Sequence, residues 1–100
     1  MSAAAWAKRR GKRMGFIEDL ADELARDVIA AQPELGDDRF YEKVSRVIGA
    51  ASPTLQEAFM TSVRIRLAEQ RARLFFEAAV KAKKEGGTGP EAPRDFGSGH

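Results

Sequence analysis

The 100 residues contain no cysteine and a single histidine, which is the last residue. Without thiols there is no disulfide, no thiolate metal site and no cysteine nucleophile, a composition suited to a reducing compartment. Strand patterns and a glycine-rich phosphate loop are missing as well, and no hydroxyl stands with an evident base, so the sequence predicts neither an enzyme nor a bound cofactor or metal. A secretory leader would place an apolar stretch after its first charges. Here Gly15, Phe16 and Ile17 lead straight into Glu18 and Asp19, and a cytoplasmic location with no membrane partner is expected. Glycine and proline, too, are absent between Thr54 and Glu85, which leaves room for one long uninterrupted helix.

What is present is alanine, charge and helical periodicity. The formal net charge of +2 conceals a division along the chain. Lys8, Arg9, Arg10, Lys12 and Arg13 give residues 1–17 a charge of +5; ten acids against four bases give residues 18–57 a charge of −6; seven bases against Glu69 and Glu77 give residues 64–84 a charge of +5. Such a pattern orients helices within one fold as readily as it recruits a partner.

Residues 1–15 form a basic arm, read either as a phosphate-binding patch or as a solubilising terminus. From Phe16 to Ala31, Ile17, Leu20, Ala21, Leu24, Val28 and Ala31 recur at helical spacing, with Glu18, Asp19, Asp22, Glu23 and Asp27 opposite. The carboxylate pairs Glu18/Asp22 and Asp19/Glu23 have a spacing that could hold a divalent cation, but they read first as a solvated face. A loop is expected at Gln32–Gly36. Asp37 or Asp38 is then placed to cap a short helix near 38–48, whose apolar residues are Phe40, Tyr41, Val44, Val47 and Ile48 and which Gly49 ends. Ser52 as cap and Pro53 at the first helical position start the long helix, near 53–84. At ~1.5 Å per residue it runs roughly 45–50 Å, more than a domain of this size buries along its length, so part of it should project or pair with another chain. Residues 86–100 are rich in glycine and proline and are expected to be disordered. The fold class is all-α: a helical domain at 16–85 with two short helices packed on one long C-terminal helix, between flexible termini.

Around the junction of the second and third helices, Val44, Ser45, Ile48, Gly49, Ala50, Leu55 and Ala58 fall at the offsets of a helix-turn-helix, and residues 41–60 resemble that DNA-binding unit. The resemblance implies a glycine with positive φ in the turn and a third helix entering a major groove, with Ser52, Thr54 and Gln56 near phosphates or bases. Homeodomain-like proteins combine such a unit with a basic arm, as Lys8–Arg13 would here. The same offsets also arise in any corner that packs two helices around a glycine.

At the far end of the long helix, Leu67, Leu74, Phe75, Phe76 and Val80 exceed what two short helices can cover, and they are assigned to an oligomer or partner contact. Gln70 and Arg66 interrupt the heptad, which argues against a continuous coiled coil. The expected functions are two: a non-enzymatic, DNA-associated accessory or regulatory protein that binds duplex DNA as a homo-oligomer, or a helical adaptor that binds a protein partner through that apolar end.

Overall fold

A computed structural model describes residues 15–93. These residues are helical without any strand: α1 (Gly15–Leu35), α2 (Phe40–Ala51) and α3 (Pro53–Lys84). The described residues divide into two compact units, with the boundary between Arg66 and Leu67, inside α3.

In the first unit α1 buries Ala21, Ala25, Val28 and Gln32, residues that recur every three or four positions and so form one narrow stripe. The broader face read from the sequence is shifted: Leu20 and Leu24 are 42% and 37% exposed, because the alanines rather than the leucines point inward. α1 also continues where a loop was expected, through Pro33 to Leu35. Proline lacks one N–H and so forfeits one bond to the preceding turn. The end is closed by two others, from Gly36 N–H to the Pro33 carbonyl and from Asp37 N–H to the Gln32 carbonyl, each 3.2 Å, with Gly36 at φ 67° as this cap requires.

The buried Gln32 ties α1 to α2. Its Nε2 donates to the Asp38 carbonyl at 3.2 Å, and its Oε1 accepts the Tyr41 N–H at 3.0 Å, one of the donors that a helix start leaves without an intrahelical partner. The expected aspartate cap gives way to this arrangement. Arg39 occupies the cap position and makes no side-chain cap bond, while Asp37 accepts the Arg39 N–H at 3.0 Å and the Lys43 ammonium at 3.0 Å. Those two bonds, the backbone one foremost, hold the Asp37 carboxyl below the usual carboxylate range.

α2 buries Ser45 and Ile48, whereas Val47, expected inside, is 74% exposed. The helix runs through Gly49 to Ala51, and only Ser52, with extended backbone, separates it from α3. The Ser52 N–H donates to the Ile48 carbonyl at 2.7 Å, and its Oγ accepts the Leu55 N–H at 3.1 Å, so one residue closes α2 and caps α3 as the sequence indicated. The largest fully buried side chains of the unit are Phe59 and Val63, both on α3.

The second unit holds α3 from Leu67 onward. Gly86, at φ 75°, donates to the Lys83 carbonyl at 3.3 Å, and Gly87 donates to the Ala82 carbonyl at 2.8 Å, the same glycine-dependent closure that ends α1. The chain then turns back until Gly89 lies against Ala79 and Ala82. Residues expected to lack order therefore carry a hydrogen-bonded cap in their described part. Among the described residues no helix is long and apolar enough to cross a membrane.

Candidate functional site

Two regions of the sequence carried functional expectations, and side-chain bonding separates them. At the corner between α2 and α3, Gly49 has no positive φ and belongs to α2 itself, so the turn expected from the helix-turn-helix resemblance is replaced by Ser52 alone. The role of Gly49 is close approach. A Cβ at this position would overlap the amide of Gln56, which crosses the α2 backbone to donate to the Ser45 carbonyl at 2.9 Å and to the Ser45 Oγ at 3.3 Å.

Of the three corner residues assigned to nucleic acid, the structure thus engages Gln56 with Ser45 and Ser52 with Leu55, and it leaves Thr54 exposed. Thr54 lies in an open cleft with Ile17, Glu18, Pro53, Glu57 and Ala58, and two carboxylates in its lining are unfavourable to a phosphate there. Lys8, Arg9, Arg10, Lys12 and Arg13 lie outside the described residues.

The acidic face of α1 is partly consumed inside the first unit. Asp22 accepts from the Ser62 hydroxyl at 2.6 Å and from Arg66 Nε and a terminal guanidinium nitrogen at 2.9 Å each. This two-pronged geometry is the stronger form of a carboxylate–guanidinium pair, and the bond to Asp22 pushes the Arg66 pKa above its ordinary value against a smaller effect of burial. The complementarity between an acidic middle and a basic spine is met here by these residues. Among the described residues no group of three or more metal-ligating side chains comes together.

The far half of α3 presents a different surface. Leu67 is half-buried, while Leu74 and Phe76 are 67% and 61% exposed and Phe75 and Val80 are 37% and 39% exposed. Charges border them: Glu69 accepts from Arg73 Nε at 3.0 Å and from a terminal nitrogen at 2.6 Å, which raises the Arg73 pKa chiefly through that bond. Both side chains are more than half exposed, so water screens the pair and it contributes little to stability. No protein-family model matches the chain, and neither a curated protein nor a solved structure does.

Proposed function

We propose that this chain is a small, non-enzymatic helical adaptor in which α1 and α2 pack on the first part of α3 and the apolar far half of α3 binds another polypeptide. The observation that carries this reading is the exposure of Leu74, Phe75, Phe76 and Val80 within fewer than two turns of one helix. Large apolar side chains grouped in this way mark interaction sites on soluble proteins, and an apolar helix face laid against another chain is a recurring recognition mode. Duplex DNA is the rival partner. Gln56 and Ser52 support it less well than their sequence positions did, because each already bonds to a neighbouring residue.

The test is photo-crosslinking in the producing cells from a benzophenone side chain at position 76, with position 64, an exposed arginine, as control. A discrete polypeptide adduct from position 76 that is absent from position 64 is the expected result. Equal or absent adducts at both positions remove the adaptor reading. Salt-sensitive binding of the intact protein to duplex DNA at micromolar concentration, lost when the five bases of the arm become alanine, would install the DNA reading instead.

A further inference from the structure

Resting on the adaptor reading, we infer that the polypeptide bound by the far half of α3 is a second copy of this chain, paired antiparallel across the face formed by Ala68, Ala72, Phe75, Ala79 and Ala82. These residues recur at alternating spacings of four and three, the repeat of a two-stranded seam, in a register that avoids Gln70; of the exposed apolar set, Phe75 lies in this seam and Phe76 beside it, while Leu74 and Val80 lie outside it. The interruption noted in the sequence belongs to the neighbouring register through Leu67 and Leu74.

The charges beside the seam select the partner and its direction. When Ala72 is layered on the partner's Ala82 and Phe75 on the partner's Ala79, Phe76 meets its own copy at the two-fold axis. Glu69 then stands opposite the partner's Lys83, and Arg71 opposite the partner's Glu85. Symmetry repeats both pairs. Sliding one helix by a heptad sets Glu69 against the partner's Phe76 and Arg71 against the partner's Ala78, and leaves one pair, Arg64 with the partner's Glu85. A parallel pairing offers only Arg64 with the partner's Glu69. Complementary flanking charges of this kind set orientation in helix pairs, and the proposed arrangement has two such pairs against one in either alternative.

The structure supplies an independent sign that the seam accepts another backbone, because the chain's own tail is seated on it. A Cβ built on Gly89 would stand 3.4 Å from the Ala79 Cα and 3.7 Å from the Ala82 Cβ, ordinary contact distances, so the tail backbone lies close over these two alanines. Ala79 and Ala82 are half-buried by this cover, whereas Ala68 and Ala72 are exposed. The partner's Phe75 and Ala72 would take the place that Gly89 holds. The tail is therefore a competitor built into the same chain, and pairing requires it to lift.

Sedimentation velocity over the micromolar range, with nitroxide distance measurements, tests the arrangement on the full chain. The expected result is a mass rising from one chain to two, with labels at Ala78 close together and labels at Glu69 separated by about 20 Å along the helix axis, the rise of fourteen residues. Glu69→Lys should weaken the dimer by about tenfold by turning two attractive charge contacts repulsive, and Lys83→Glu in the same chain should restore it. Ending the chain after Gly87 should tighten pairing several-fold. Close labels at Glu69 would overturn the antiparallel arrangement, and failure of Lys83→Glu to rescue would overturn the register. An unchanged dimer on truncation would overturn the competition with the tail. A monomer at every concentration, with a heterologous adduct still formed from position 76, would overturn the second copy as partner and leave the adaptor reading standing; a monomer with no adduct would end both.

Discussion

Gly49 and Gln56 behave as one unit, since the space that the glycine leaves is filled by the glutamine amide on its way to the Ser45 carbonyl. In an exposed helix, glycine to alanine stabilises by ~1 kcal/mol through backbone entropy alone. Gly49→Ala should forgo that gain here, leaving stability within ~0.5 kcal/mol of the parent, because the added Cβ drives the Gln56 amide off the Ser45 carbonyl. In a Gln56→Ala background the same change should be stabilising. Urea titrations of the four proteins give the coupling, and additive effects would dissociate the pair. Asp37 makes a second prediction at this scale. Its folded-state carboxyl is more acidic than an unfolded aspartate, near ~3.9, so the unfolded chain binds more protons in the acid range and stability rises with pH there. The contribution is complete above about pH 5 and disappears as pH falls through and below the ordinary carboxylate range. Asp37→Asn should shrink the difference between urea midpoints at pH 3 and pH 6. An identical difference in the variant would show that other carboxylates govern the acid limb.

The helices owe their limits to unequal devices, and their sensitivity to mutation should differ accordingly. Ser52→Ala removes the side-chain acceptor of the Leu55 N–H and should cost about 1 kcal/mol of global stability. Gly86→Ala also places a side chain at positive φ, at φ 75°, with a local penalty of ~1 kcal/mol, yet it acts in the second unit. It should fray the end of α3 in hydrogen exchange while the urea midpoint of the first unit stays in place. Equal shifts of both readouts would mean that the two units melt together. Three helices in the right order, the serine cap and the start of α3 were legible in the sequence, because period, capping residue and proline position act locally. The end of α1 and the start of α2 were not. Pro33 signalled a break that costs a single bond near a helix end, and the cap came from Gln32, a residue outside α2 that no local pattern points to. The same holds for Gly49, whose sequence context suggested a turn and whose partner Gln56 is set by the angle between two helices. Asp22 and Arg66 meet across 44 positions, so the sequence held their charges but not their identity as a pair.

At the scale of the whole molecule, the two units differ in what keeps them folded. Phe59, Val63, Ala21, Ala25 and Ile48 give the first unit an interior, whereas the apolar residues of the second stand mostly at its surface, so its helix has little of the packing that gives helices most of their stability. Amide exchange between Leu67 and Lys84 should therefore slow as protein concentration rises through the micromolar range, while exchange between Phe59 and Val63 stays constant. Concentration-independent exchange in the far half of α3 would mean that the tail cover suffices to hold it. The apolar set at Leu74, Phe75, Phe76 and Val80 was recognisable from the sequence by composition alone. The seam through Ala68, Ala72, Phe75, Ala79 and Ala82 was not, since alanines draw no attention until a backbone is found lying against two of them.

The corner at Ser52 has a consequence for how this chain can change in length. With a single residue between α2 and α3, there is no slack to absorb an insertion. One added residue must join one helix or the other, turning everything beyond it by about 100° and carrying Phe59 and Val63 out of the interior. A deletion turns them as far the opposite way. Variation in length is thus closed to the junction. Among sequences descended from this one, the interval from Ile48 to Phe59 should keep a fixed residue count even where its letters drift.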